Sequence, residues 1–119
     1  MRDANLPPAT AFRHSPMAAK LKHSVSIIVA AYNEDVVVEQ VVRETHAVAD
    51  LMLETFELIL INDGSTDRTP SIVDSLAGEL TNTRAIHNRP NIGFGASYMK
   101  GVKEAQYDYV MLVCGDNGI

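Results

Sequence analysis

A chain of 119 residues with 46% apolar side chains has the material for one domain with its own core, and it shows no repeat or low-complexity stretch. Charged residues make up 21% of it at a net charge of −5, and the Lys and Arg residues form no patch or stripe, which argues against nucleic acid as a partner. The single cysteine, Cys114, excludes an internal disulfide and fits a reducing compartment, and the four histidines are scattered without metal-ligand spacing.

The first two dozen residues carry Pro7, Pro8 and Pro16 among Arg2, Arg13, Lys20 and Lys22, and lack the apolar stretch of a secretory signal. Residues 1–23 are therefore expected to form a mobile tail ahead of a domain over residues 24–119. No apolar run approaches the ~20 residues of a membrane span, so none is expected. From Ser24, compact β-rich runs alternate with longer segments of helical spacing, the pattern of a parallel sheet with crossover helices. Val25, Ile27, Ile28 and Val29 start the first strand, which ends in Ala30-Ala31-Tyr32-Asn33-Glu34. Val37, Val38, Val41, Val42, Ala49 and Leu53 give the first helix an apolar face. Residues 56–61 read as the second strand, followed at once by Asp63-Gly64-Ser65-Thr66-Asp67, and Ile72, Val73 and Leu76 mark the second helix. Residues 83–87 form a weaker third strand. Asn91-Ile92-Gly93-Phe94-Gly95 opens a third helix over about residues 95–105, with Met99, Val102 and Ala105 expected to turn inward. Residues 107–113 read as a strong fourth strand running into Cys114-Gly115-Asp116-Asn117.

Right-handed crossovers favour an α/β, Rossmann-like sheet of about four parallel strands in the order 3-2-1-4. The reversal then falls between the first and fourth strands, so Tyr32, Glu34 and Asp116 are expected to share a crevice at the carboxyl ends of the strands.

Each motif admits a chemical and a plainly structural reading. A carboxylate only accepts, so Asp63 suits the ring N–H donor that uracil and guanine both present; the same stretch also reads as a turn, with Thr66 or Asp67 capping a helix that tolerates Pro70. Tyr32 against a base and Glu34 on ribose hydroxyls compete with a strand exit in which Asn33 is the N-cap. The small side chains of Ala30 and Ala31 are expected to leave their backbone groups accessible. The loop at Asn91 is no dinucleotide fingerprint, because Tyr98 occupies the third glycine position, and no Walker loop is present. Its glycines fit flexible helix entry, and a helix N-terminus is also favourable near a diphosphate. Asp116 ends the most apolar strand, where a carboxylate needs solvent, a donor or a metal; a hard divalent cation bridging it to a diphosphate competes with a simple turn aspartate. Cys114 has no adjacent His motif and is expected to be a buried thiol rather than a nucleophile.

Taken in order, the strand ending Ala30-Ala31-Tyr32-Asn33-Glu34, the turn Asn62-Asp63-Gly64-Ser65-Thr66-Asp67, Asn91-Ile92-Gly93 and the strand ending Cys114-Gly115-Asp116 resemble family 2 glycosyltransferases of the GT-A fold. The resemblance covers residues 24–119 and is nearest to the polyprenyl-phosphate sugar transferases. It implies inverting transfer of a sugar from a UDP- or GDP-sugar, with Mg²⁺ or Mn²⁺, to a lipid-linked acceptor such as polyprenyl phosphate in a full-length protein. It also implies roles by position: Ala30, Tyr32 and Glu34 at the base and ribose, Asp63 at the base edge, and Gly115 and Asp116 in the metal motif, with Asp116 as the metal ligand. Cys114 stands where that motif has its first aspartate, and Gly118 where many relatives place a Gln.

No residue here matches the family's catalytic base, which belongs to a later acceptor-binding half. The chain is expected to be a donor-binding half, either of a working enzyme or of a non-catalytic nucleotide-sugar-binding or assembly module. A phosphoacceptor receiver domain needs an acidic pair after the first strand and a Lys after the last, where this chain has Asn33-Glu34 and no fifth strand. A nucleotidyltransferase needs a glycine-rich, basic signature that is absent after the first strand. The fourth strand is expected to be an uncovered apolar edge and a route to self-association. The same resemblance implies a cytoplasmic chain acting at the inner face of a membrane.

Overall fold

The computed structural model describes residues 19–115. Strands and helices alternate through them as β1 (Leu21–Ala31), α1 (Val38–Met52), β2 (Leu53–Asp63), α2 (Thr69–Glu79), β3 (Thr83–Asn88), α3 (Phe94–Glu104) and β4 (Tyr109–Cys114). Every pairing is parallel and the order is β3-β2-β1-β4, the arrangement that right-handed crossovers favour. The reversal of strand order falls between β1 and β4, as expected.

β1 begins at Leu21, inside the segment expected as tail, because Leu21 pairs with Leu53 at the start of β2. Leu53 was expected on the helix; it is instead the first residue of β2, and its buried side chain joins the same apolar layer. Residues 1–18 and 116–119 lie outside the described residues, and with them most of the expected tail and Asp116.

The sheet is apolar on both faces because side chains alternate along each strand. Val25, Ile27, Val29, Phe56, Leu58 and Leu60 point to the face covered by α1 and α2. Ile28, Ala30, Ile59 and Ile61 point to the other, where Tyr98 and Ala105 cover them. α3 departs from expectation in its rotation: Met99 is 57% and Val102 41% exposed, while Ser97 and Gly101 are buried. A Cβ on Gly101 would lie 2.6 Å from Ile28 Cγ2, so the helix backbone approaches the sheet through its smallest residues and turns its larger apolar ones outward. Apolar spacing cannot reveal a contact made by glycine and serine.

A polar latch at the amino end of the sheet fixes where β4 starts. Ser26 Oγ donates to Glu57 Oε2 at 2.6 Å, and the same oxygen accepts the Gln106 N–H at 2.6 Å. Tyr107, expected within the strand, lies before it and donates its N–H to Ser26 Oγ at 3.1 Å. β4 then pairs only with β1 among the described strands, with Cys114 opposite Ala30 at the carboxyl end. Its side chains are largely uncovered, Tyr109, Met111 and Leu112 each being more than half exposed. An apolar groove of about 410 Å³ between α1 and β4, lined in part by Leu21, Val48, Met52 and Met111, continues this surface. Among the described residues no helix is long and apolar enough to cross a membrane.

Candidate functional site

The carboxyl ends of β1 and β4 meet in close contact. Gly115 donates its N–H to the Ala30 carbonyl at 3.0 Å, and a Cβ at Gly115 would lie 2.9 Å from both that oxygen and Ala31 Cβ. Only glycine fits there. The expectation of accessible backbone at Ala30 and Ala31 is corrected by the same contact: both residues are 1% exposed, and the Ala30 carbonyl already accepts a hydrogen bond. Cys114 is exposed rather than buried, because β4 is an edge strand among the described residues. Tyr32 leaves the β1 end with 40% of its surface in solvent, and Glu34 follows it half-buried.

What holds Tyr32 and Glu34 is a set of crossed hydrogen bonds between the loops after β1 and β2. Asn33 takes a positive φ of 50°, a conformation asparagine tolerates better than most residues. Its N–H donates to Ser65 Oγ at 3.0 Å while its side-chain oxygen accepts the Thr66 N–H at 2.8 Å. One turn on, the Glu34 N–H donates to Thr69 Oγ1 at 3.0 Å and the Asp35 N–H to Asp67 Oδ2 at 3.2 Å; Asp35 Oδ2 accepts the Arg68 N–H in return. Each loop thus supplies side-chain acceptors for the other's backbone donors. Asn33 is therefore a cross-loop bridge and not the expected N-cap, since α1 starts only at Val38. Asp67 does accept the Thr69 N–H at the start of α2, at 2.8 Å.

Burial pushes the Asp67 carboxyl up, but hydrogen bonds from the Thr69 hydroxyl and amide and from the Asp35 amide outweigh it and hold the group below the usual aspartate value. The Asp67 cap on α2 was expected; the bonds between the two loops were not. The signal available was the density of Asn, Asp, Ser and Thr in both loops, the side chains that bond readily to nearby backbone.

Asp63 ends β2 on the α3 face and is 1% exposed. Its Oδ1 accepts the Ile92 N–H at 2.8 Å and the Asn88 amide at 3.2 Å, and its Oδ2 accepts the Gly93 N–H at 2.9 Å. The Asn91 side chain adds a bond to the Asp63 carbonyl at 2.9 Å. The carboxylate expected at a base edge is thus turned inward, where it organises the loop into α3. Gly64, with φ +69°, lets that loop lie against the turn, since a Cβ there would be 2.4 Å from Asn91 N. Asn88 extends the cluster to Ser97 Oγ at 3.0 Å and to Lys100 Nζ at 2.8 Å. On the opposite face of the same strand end, Asn62 is buried between the Ser65 N–H and the His87 ring.

Four chain segments therefore converge at one end of the sheet: the laced loops after β1 and β2, the loop into α3 held by Asp63, and Gly115 beside Ala30. The arrangement presents Tyr32 and Glu34 on a rigid rim. Among the described residues no group of three or more His, Cys, Asp or Glu could hold a metal ion. The expected metal ligand, Asp116, lies outside them, one residue beyond Gly115.

A family model described as Glycosyl transferase family 2 matches residues 26–117. An undecaprenyl-phosphate 4-deoxy-4-formamido-L-arabinose transferase of Pseudomonas fluorescens is 30% identical over 95 residues, covering 79% of this chain and 28% of its own length. The crystal structure of S. aureus TarS 1–349 in complex with UDP superposes with a TM-score of 0.69 at 26% identity, over 78% of this chain and 27% of that one. The mannosyltransferase PcManGT from Pyrobaculum calidifontis, in complex with GDP-Man and Mn²⁺, gives 0.71 at 21% identity, over 81% of this chain and 28% of its own. The chain thus spans about a quarter of the length of the relatives it matches.

Proposed function

From the premise that this chain belongs to glycosyl transferase family 2, we propose that its carboxyl-end loops bind the nucleoside diphosphate of a sugar donor for an inverting glycosyltransferase. The observation that carries this reading is the double lacing of the β1 and β2 exit loops. It joins the two loops through several side-chain-to-backbone hydrogen bonds, two of them part-buried, that hold Tyr32 and Glu34 at a surface where the sheet has its topological switch point. A structural turn alone would not require so rigid a rim.

In this reading Tyr32 lies against the base and Glu34 accepts from ribose hydroxyls. Asp63 contributes through the loop that it holds, and Gly115 packs against the β1 exit. Asp116 would hold a divalent cation, of the kind bound with GDP-Man in the Pyrobaculum enzyme. Such a cation neutralises charge that builds on a departing diphosphate. The neighbour complexes with UDP and with GDP-Man support a UDP- or GDP-sugar donor. The undecaprenyl-phosphate relative supports a polyprenyl phosphate acceptor, met at the inner face of a membrane by the whole protein. A phosphate acceptor is already ionised and needs no general base.

Calorimetry of the chain with UDP and with GDP, with and without Mn²⁺, tests the donor site. One nucleotide is expected to bind with Mn²⁺ and to weaken at least about tenfold, roughly 1.4 kcal/mol, in Asp116→Ala. Binding of neither nucleotide, or binding indifferent to both Mn²⁺ and Asp116, overturns the assignment.

A further inference from the structure

A histidine that the donor site does not use lies behind the loop after β2. His87, on β3, is half-buried between Asn62 on β2 and Asp74 on α2. Its Nε2 is 2.7 Å from Asp74 Oδ1 and its Nδ1 is 2.9 Å from Asn62 Nδ2. Asn62 Oδ1 accepts the Ser65 N–H at 3.1 Å.

The chemistry of the neighbours assigns the protons. Ser65 N–H can only donate, so the Asn62 oxygen must face it and the Asn62 NH₂ must face His87. That NH₂ can only donate, so Nδ1 carries a lone pair. The Asp74 carboxylate can only accept, so Nε2 carries the hydrogen. The ring is therefore neutral in this arrangement, and no freedom is left in the Asn62 amide. Asp74 is the charged group facing the ring from α2. From β2, Asn62 faces it directly, and the Asp63 carboxylate lies on the opposite face of the sheet, bonded to Asn88, Ile92 and Gly93.

We propose that His87 is a positioning residue for the nucleotide rim: its unprotonated Nδ1 fixes the Asn62 amide, which holds the Ser65 loop that carries Asn33 and, through it, Tyr32 and Glu34. The links are continuous, from His87 to Asn62, from Asn62 to the Ser65 N–H, and from Ser65 Oγ back to the Asn33 N–H. Protonating Nδ1 sets a donor against the Asn62 NH₂. Asn62 must then turn its oxygen to the ring and oppose the Ser65 N–H with its NH₂, or else lose its bond to the ring. In the first case the Ser65 N–H loses its acceptor; in the second the Asn62 side chain that holds it loses its own anchor to the ring. The rim's order is therefore tied to the protonation state of the His87 ring. The consequence for ligand binding rests on the nucleotide-binding role proposed for these loops.

The test compares the chain with His87→Asn, whose amide oxygen can reach the Nδ1 position and accept from Asn62 without titrating. Two readouts are taken from about pH 8 to about pH 5: affinity for UDP and GDP with Mn²⁺, and hydrogen exchange of the Ser65 amide by NMR. In the unsubstituted chain, affinity is expected to fall about threefold to tenfold and Ser65 protection to fall by a similar factor, the equivalent of one intramolecular hydrogen bond. In His87→Asn both are expected to lose that dependence, leaving only the change common to ligand, metal and solvent. Equal pH slopes in the two proteins, for the Ser65 amide, overturn the positioning role. If neither nucleotide binds at any pH, the donor site fails instead, and the Ser65 amide still decides the role of His87. Should His87→Asn fold poorly, His87→Gln and the pH dependence of Ser65 exchange in the unsubstituted chain give the same decision: a pH-independent Ser65 amide overturns the role.

Discussion

Replacing Asp63 with Asn keeps the shape of the side chain and removes its charge, so it separates an inward structural role from a contact with a base. Oδ1 serves Ile92 N–H and the Asn88 amide, while Oδ2 serves Gly93 N–H alone. An amide can keep its oxygen toward the first pair, but it must then set an NH₂ against the Gly93 N–H. One charge-assisted bond is lost, worth about 1.5–3 kcal/mol. The Gly93 N–H has a substitute acceptor in Asn91 Oδ1 at 3.1 Å, which moves the cost to the lower part of that range. About 2 kcal/mol is expected, and for a chain of this size that lowers Tm by about 8 °C. Asp63→Ala takes an acceptor from all three donors, leaving Gly93 N–H only Asn91 Oδ1 and the Asn88 amide only Ser97 Oγ, and is expected to cost about twice as much. Thermal and urea unfolding at neutral pH, followed by circular dichroism, reads the difference directly. An Asn variant that melts within about 2 °C of the parent chain, yet binds UDP or GDP less well, refutes the loop-organising role and restores Asp63 to the base edge.

Gly101→Ala places a methyl 2.6 Å from Ile28 Cγ2 and is expected to cost about 1–3 kcal/mol; adding Ile28→Val should recover part of this in a double-mutant cycle, and strict additivity would show that the two residues do not share the contact. The Asp67 carboxyl is held below its unfolded value near 3.8, so the stability it contributes is present above that value and is lost as pH falls through the folded one. The difference in stability between the parent chain and Asp67→Asn should therefore shrink below about pH 4, and an unchanged difference in acid urea melts would contradict the hydrogen-bonding pattern around Thr69. The uncovered β4 edge, with Tyr109, Met111 and Leu112 more than half exposed, is expected to make the isolated chain self-associate. Light scattering should show species above the monomer that Met111→Lys reduces, and a monodisperse, cooperatively melting monomer would count against it.

The fold was legible because its signals are repetitive. Each strand is a run of β-branched and aliphatic residues, each helix has apolar spacing, and right-handed crossovers leave few topologies for four parallel strands. The motifs of the candidate site were legible in order, which is how the family was recognisable. What was misread is instructive in physical terms. Met99 and Val102 looked like the inward face of α3, but Gly101 and Ser97 make the close approach to Ile28, and small residues leave no mark in apolar spacing. Ala30 looked accessible because it is small; the missing side chain of Gly115 is what lets that residue close on the Ala30 carbonyl.

The sequence by itself determined the alternation of elements, the strand order and the end of the sheet at which the polar motifs gather, because period and chirality act locally. Only the tertiary structure decided which polar groups face each other across thirty or so residues of chain. Asn33 bridges to Ser65 and Thr66, Asp63 closes on Ile92 and Gly93, and Asn62 locks to His87, each pairing set by strand register and by the need of buried donors for acceptors. A carboxylate or amide at the end of a strand can meet a ligand or a neighbouring loop with the same chemistry. Which of the two it meets is a matter of position in space, and that is fixed only when the whole sheet is assembled.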